Sequence, residues 1–338
     1  MISTRELAEI AGVSQSTISR CLNDHPSISF ETKERVRKLA LQYGYVENTK
    51  GRKALITGKR KTIGILVTGR PFFDDLFINY TLNLLMTKAA EKNYYTIPLP
   101  LSTYEEGGLE KLRDLIRMNI VDSFIILHST FDQQLHQYLR DIGIPHIYLL
   151  HCSRASYQAV DIVDSDNRVG GYLGTHHLIS RGHKNIITLT CPWREFEDRT
   201  EGYRQCLQDH GIPFREDFVL TVDGSYEGAY RTVKENLKLF SQASAVYVQS
   251  EILTLGVANA LQDATLKIPE AISVLGTDGY ALGAISHPQF DSVAHPISEL
   301  VELAISRLTE VTDKKQQQTP RQIILRPYII ERGSVKTV

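Results

Sequence analysis

Cysteine is scarce in this chain, with only Cys21, Cys152, Cys191 and Cys206 among 338 residues. Their spacings of 131, 39 and 15 include no C-x-x-C pair, so neither a zinc ribbon nor a thioredoxin-type site is readable. Reduced thiols are the expectation. No apolar run approaches the ~18 residues that span a bilayer. The opening MISTRELAEI lacks a basic segment followed by an apolar one, so no secretory signal, no membrane partner and a cytoplasmic location are expected. G-x-S-x-G, H-E-x-x-H and G-x-x-x-x-G-K-[ST] are all missing, which removes three common catalytic designs. No cofactor is indicated.

Apolar residues make up 42 % and charged residues 23 %, ordinary globular usage that excludes wholesale disorder and fibrous repeats. A chain of this length divides into two or three domains. The net charge of −1 conceals an asymmetry. Residues 1–61 carry 12 Lys+Arg against 6 Asp+Glu, and the remainder 26 against 33. A basic head on an acidic body points to a polyanionic partner at one end only.

The head reads as three short helices over residues 1–46. Ser3 and Glu6 form a capping box, Leu7, Ile10 and Ala11 share one face, and Gly12 supplies the left-handed stop. Ser14 caps the second helix, with Ile18, Cys21 and Leu22 inward and Gln15, Ser16, Ser19 and Arg20 outward. Ser29 caps the third, whose apolar stripe is Val36, Leu39, Ala40 and Tyr43, with Gly44 ending it. Residues 47–61, rich in Lys, Arg and Gly, have linker composition. From residue 62 strands alternate with helices. Strand-like runs fall at 63–67, 95–99, 123–127, 146–150, 186–190, 218–222, 245–248 and 272–275. Helical stretches lie at 76–91, 109–118, 168–180, 199–210, 227–240 and 253–263. The pattern predicts an α/β body of two doubly wound parallel sheets behind a helical head. Residues 314–318 read as a solvated connection.

Two short helices joined through Gly12 are the pattern of a helix-turn-helix, whose second helix enters the major groove. Its leading residues reach base edges. Gln15 suits adenine and Arg20 guanine, with Ser16 beside them. Ser14, Ser29 and Thr32 are placed for phosphate contacts. The competing reading is a three-helix bundle that binds protein.

TRELAEIAGVSQSTISRCLN followed by ISFETKERVRKLALQYGYVEN closely resembles the head of the LacI/GalR family of bacterial transcription repressors. IGILV, RPFF, VDSDNRVGGYLGTHHLISRGHKNI, DRTEGY, VLGTD and LRPYIIERGSV extend the resemblance over nearly the whole chain. It implies a homodimer on a pseudo-palindromic operator. It also implies a periplasmic-binding-protein-like body, 62–338, holding a small effector between a first lobe (about 62–161 and 293–324) and a second (about 162–292 and 325–338). The DNA-facing set it implies is Ser14, Gln15, Ser16, Thr17, Arg20, Asn23, Ser29 and Thr32. A minor-groove wedge falls on Leu55, or on Ala54 when counted forward from Asn48.

The effector set implied by the resemblance is Phe72, Phe73, Asp74, Arg199 and Asp278, with Ser250-Glu251 where the family has an Asn-Asp turn and Leu150 where an Asp is common. Trp193 and Tyr226 add aromatic faces, and the expected effector is a carbohydrate. Each residue has a plainer reading: Phe72 and Phe73 as core, Arg199 as helix surface, Asp278 as a turn-maker in GTDG. His176, His177 and His183 lack a further ligand, so no metal is expected. A sugar-active enzyme fused to a DNA-binding head is the alternative from another class. A solute-binding protein is opposed by the basic head.

Overall fold

The computed structural model describes residues 3–22, 25–43, 61–67, 76–100, 108–118, 120–127, 133–150, 160–280, 282–313 and 319–338. The chain divides into two compact units, residues 1–60 and 61–338.

In the first unit, α1 (Thr4–Ala11), α2 (Gln15–Leu22) and α3 (Phe30–Gln42) pack around Leu7, Ala8, Ala11, Ile18, Cys21, Val36 and Ala40. Ser3 Oγ accepts from Glu6 N at 3.2 Å, and Glu6 Oε2 accepts from Ser3 N at 2.6 Å, closing the capping box. Gly12 takes φ +64°, which ends α1 at little cost. Ser14 Oγ accepts from Thr17 N and Ser29 Oγ from Thr32 N, so both later helices are capped as their sequences predict. Ile10 and Tyr43, expected in the buried stripes, are instead 42 % and 44 % exposed. On this two-turn helix Leu7, Ala11 and Ala8 span about 100° of the inward face, and Ile10 falls about 60° beyond Leu7 at its edge. Gly44 lies outside the described residues.

The second unit has two six-stranded sheets. In chain order its elements begin with β1 (Thr62–Val67), α4 (Leu76–Glu91), β2 (Tyr95–Pro100), α5 (Gly108–Arg117), β3 (Ser123–Leu127), α6 (Gln133–Asp141), β4 (His146–Leu149) and β5 (Ile162–Ser165). The second sheet is built with α7 (Asn167–Ile179), β6 (Ile186–Thr190), α8 (Arg194–Asp209), β7 (Val219–Thr221), α9 (Tyr226–Glu235), α10 (Leu237–Phe240), β8 (Ala245–Val248), α11 (Glu251–Asp263), β9 (Ser273–Thr277), α12 (Leu282–Ile285) and β10 (Asp291–Ala294). The chain closes with α13 (Ile297–Asp313), β11 (Gln322–Leu325) and β12 (Tyr328–Ile330).

The first sheet runs β11-β5-β4-β3-β1-β2, all parallel. The second runs β12-β10-β9-β8-β6-β7, with only the edge strand β12 antiparallel. In each lobe the first strand of the α/β unit sits one place in from the edge, a doubly wound order whose switch point opens at the carboxyl ends of the strands. Every residue of β1 is buried, as a central parallel strand requires. Helices cover both faces. On α13, Ile297, Leu300, Val301, Ala304, Ile305 and Leu308 form a stripe at helical spacing against the first sheet.

The chain passes between lobes at Asp166, at His295-Pro296 and at Arg326-Pro327. The expected boundaries fall a few residues early. Ile162 and Val163 are buried in the first-lobe core, so β5 stays in the first sheet, and Val293 is buried in the second. The expected helix 227–240 breaks at Asn236, whose side chain donates to Thr232 O and competes with the helical ladder. The expected strand 218–222 shortens to β7 behind a 3-10 turn at Glu216–Phe218.

One carboxylate locks the chain's last segment to the second sheet. Asp291 Oδ1 accepts from Arg332 N at 2.7 Å, Gly333 N at 2.7 Å and Ser334 N at 3.0 Å, while Oδ2 faces His177 Nε2 at 3.1 Å. Arg181 donates to His177 Nδ1, leaving Nε2 as the donor to Asp291. Burial pushes the Asp291 carboxyl up, but the bonds from His177 and the three amides outweigh it and hold it below its ordinary value. Asp291→Ala is expected to cost about 3–5 kcal/mol in urea unfolding, because it orphans buried donors. The depressed value makes this contribution complete above pH ~4 and lost as pH falls further, so the gap between wild type and variant should narrow in acid.

Candidate functional site

The switch points of the two sheets face a cleft of about 560 Å³. Its described lining comes from strand ends: Cys191 and Trp193 after β6, Asp223–Glu227 after β7, Ser250–Ile252 after β8, and Asp278 after β9. Leu76 and Phe77 at the start of α4 contribute from the first lobe. Trp193, Arg199, Tyr226, Ser250 and Asp278 therefore meet in one place, although they span 86 positions of sequence. Phe72, Phe73 and Asp74 lie outside the described residues. Leu150, at φ +56°, is buried at the end of β4.

Arg199 is positioned by helix packing. Helices α7 and α8 approach so closely that a Cβ on Gly171 would stand 1.9 Å from Arg199 O, and one on Gly202 would stand 2.0 Å from Arg168 O. Glycine costs roughly 1 kcal/mol in a helix relative to Ala, and here it permits the contact. α8 begins at Arg194, five residues before the expected start, so Arg199 sits in its second turn and not at its tip. The side chain is 7 % exposed, which sets aside the helix-surface reading. Its Nε donates to Asn167 Oδ1 at 2.9 Å, Nη1 to Gln249 O at 2.6 Å, and Nη2 points at His295 Nε2 at 3.4 Å. The guanidinium also lies 5.0 Å from the Phe196 ring centre. A guanidinium has five donors on a rigid plane, and the bonds among the described residues use three of them.

The residues around it are held as firmly. Gln249 is fully buried and its amide is bonded to the hydroxyls of Thr188, Thr190 and Thr200. Asp278 takes φ +75° in the GTDG turn and is 6 % exposed, so it is both turn-maker and cleft wall. Its Oδ1 lies 3.6 Å from His295 Nε2. Glu251 is buried and accepts from Gly283 N at 2.9 Å. Ser250 is the N-cap of α11 and makes no side-chain cap bond. Trp193 meets Phe196 edge-on at 5.5 Å, and a Cβ on Gly224 would strike the indole, so glycine there leaves room for the ring. Tyr226 OH accepts from Asn259. Aromatic faces beside carboxylates and a guanidinium can cover the apolar side of a polyhydroxyl compound while pairing its hydroxyls.

Glu195, Phe196, Asp223 and Phe77 join this wall without having been singled out in the sequence. Glu195 and Phe196 belong to the helical turn ahead of Arg199, and Asp223 to the turn ahead of Tyr226, so proximity to those two was the available signal. His295 carries no local signal; only the topology brings it here.

In the head, Gln15, Ser16 and Arg20 are exposed on one side of α2. Ser14 Oγ lies 2.7 Å from Ser16 Oγ and 2.8 Å from Thr17 Oγ1, and Ser29 Oγ lies 2.8 Å from Thr32 Oγ1. Asn23, Ala54 and Leu55 lie outside the described residues. His177 is bound to Asp291, and His183 to Ser244 and Lys336 O. No group of three potential metal ligands occurs among the described residues. No helix among them is long and apolar enough to cross a membrane.

A helix-turn-helix unit followed by two Rossmann-like lobes around a cleft is the plan of a ligand-responsive DNA-binding regulator. Residues 4–48 match the family model of bacterial regulatory proteins, lacI family, and residues 175–335 match a periplasmic binding protein-like domain. The HTH-type transcriptional repressor PurR of Vibrio atlanticus (strain LGP32) is 29 % identical over the whole of both chains. A LacI family transcriptional regulator from Enterococcus faecium, solved with bound ribose, superposes with a TM-score of 0.69 at 26 % identity, over 82 % of this chain and 99 % of that one. The lac repressor dimer bound to operator and the anti-inducer ONPF shares the fold, with a TM-score of 0.80 at 18 % identity over 99 % of each chain. The head belongs to the lacI family of bacterial regulatory proteins and the body carries a periplasmic binding protein-like domain; together they have the make-up of a transcriptional regulator and not of an enzyme.

The α7–α8 contact gives a direct test. Gly202→Ala must force the helices apart and should cost about 1–3 kcal/mol, the usual range for overpacking, in urea unfolding. Gly211→Ala, where a Cβ would meet nothing within 4 Å but φ is +66°, should cost only the ~1–2 kcal/mol of a left-handed residue.

Proposed function

We propose that this chain represses transcription by binding a pseudo-palindromic operator as a homodimer in the cytoplasm, and that a sugar or sugar derivative in the cleft switches it. On this reading residues 1–46 are the DNA-binding domain, 47–61 the linker, and 62–338 the effector-binding and dimerisation body. The observation that carries the effector half is the convergence of Trp193, Arg199, Tyr226, Ser250 and Asp278 on one cleft of about 560 Å³, with Phe72, Phe73 and Asp74 just ahead of Leu76 in sequence. The cleft combines aromatic faces with buried carboxylates and a guanidinium, the chemistry that recognises a polyol. The ribose bound to the Enterococcus faecium relative supports the same class.

For DNA, Gln15, Ser16 and Arg20 read base edges, while Ser14, Thr17, Asn23, Ser29 and Thr32 contact or orient phosphates. Leu55 from each subunit wedges the minor groove. The decisive experiment has two parts. Selection from a random DNA library should yield a palindromic site whose affinity falls steeply with salt, as counterion release requires. A thermal-shift panel of pentoses, hexoses, disaccharides and sugar phosphates should then name the effector.

Two outcomes follow. Arg20→Ala should cost about 1–3 kcal/mol per half-site and relax base preference there, measured by anisotropy on matched and mismatched sites; a uniform loss on all sequences would make Arg20 a phosphate contact. Arg199→Ala should weaken binding of the saccharide found in the panel by about 1.5–3 kcal/mol, since a charged hydrogen-bond partner is lost. A normal response in that variant would place the effector elsewhere.

A further inference from the structure

Three stretches carry the chain between the lobes, and the first two converge on one imidazole. His295 stands between β10 of the second sheet and α13, which covers the first; it is 2 % exposed. Its Nδ1 lies 2.7 Å from Oγ of Ser165, the last residue of β5 in the first sheet. Its Nε2 faces Arg199 Nη2 at 3.4 Å and Asp278 Oδ1 at 3.6 Å, both in the cleft wall of the second lobe. Phe77 of α4 packs against the ring at 5.9 Å, and Tyr280 OH donates to the His295 carbonyl.

The proton positions follow from the partners. Arg199 Nη2 at 3.4 Å can only donate and Asp278 Oδ1 at 3.6 Å can only accept, so the two make opposite demands on Nε2; the shorter contact, with Arg199, makes Nε2 the acceptor and puts the ring proton on Nδ1, donated to Ser165. The first crossing has its own bond to the same guanidinium, since Asn167 Oδ1 accepts from Arg199 Nε. A rotation of one lobe on the other turns the backbone at Asp166 and at His295-Pro296. Those segments carry Ser165, Asn167 and His295, so the lobe angle cannot change without moving partners of Arg199.

We propose that His295 is a positioning residue that couples Arg199 and Asp278 to the angle between the lobes, through its bond to Ser165. The functional consequence rests on the effector reading above. A compound that draws Arg199 or Asp278 toward itself alters what His295 Nε2 faces, and Nδ1 passes the change to the first lobe. An effector can shift the lobe angle only through such a difference in interaction between two arrangements.

The test needs no effector. Spin labels at Lys111→Cys in α5 and Lys238→Cys in α10, both exposed positions, report the inter-lobe distance in the full chain with Cys152→Ser. Labelled chain is diluted in unlabelled chain so that only intramolecular distances are read. Asp278→Asn should displace or broaden the distance distribution in the parent. The same substitution should add no further change in the His295→Leu background, or in the Ser165→Ala background, which removes only one hydroxyl and guards against a folding failure. His295→Gln, which retains an acceptor for Arg199, should restore the response. Such non-additivity is the signature of two residues acting as one unit. The proposal is overturned if Asp278→Asn shifts the distribution equally in all backgrounds, or shifts it in none. Either result would leave the effector reading standing, whereas intact coupling with no saccharide bound in the thermal panel would remove that reading and not this one.

Discussion

A single buried guanidinium holds the body's functional geometry together. Burying the guanidinium of Arg199 is tolerable only if protein groups replace the water it gives up. Asn167, the carbonyl of Gln249 and His295 do so, and each stands at a structural junction: the start of α7, the end of β8, and a crossing between lobes. The demand propagates outward. Gln249 must keep its carbonyl in place, which its three threonine partners ensure, and α8 must lie flush on α7, which Gly171 and Gly202 allow.

The same economy explains where the cleft lies. Two sheets of one winding order, joined by three crossings, leave their switch points facing each other. Loops after successive strands then converge without any one of them being long. The head solves a different problem. Its small core supports a helix that leaves Gln15, Ser16 and Arg20 exposed on one side, and its stability leans on three serine caps.

Much of this could be read from the residues in order. The capping serines, Gly12 and the outward set on α2 are local, and local chemistry decides them. Strands β1, β3, β6 and β8 are continuous apolar runs, legible because parallel strands are buried on both faces. Strands β5, β10, β11 and β12 are three or four residues long, too short to show a period, so the lobe boundaries fell a few residues early. Ile10 and Tyr43 looked like core from spacing alone, but a small bundle has no room for a wider stripe. Arg199 and Asp278 were legible through motifs, whereas the role of His295 depends on a contact 130 residues away in sequence with Ser165.

The regulator works only if the cleft and the DNA-binding head share one equilibrium. The sole tryptophan of the chain, Trp193, lines the cleft, so its emission reports occupancy there without any label. The most direct measurement is a Trp193 fluorescence titration with the saccharide found by thermal shift, run on the free protein and on the protein saturated with its selected operator. Linkage requires operator to change saccharide affinity by the same factor by which saccharide changes operator affinity, typically about 5–150-fold. Equal factors are the expected result. A saccharide affinity indifferent to operator, or emission unmoved by a saccharide that alters operator binding, would contradict the account.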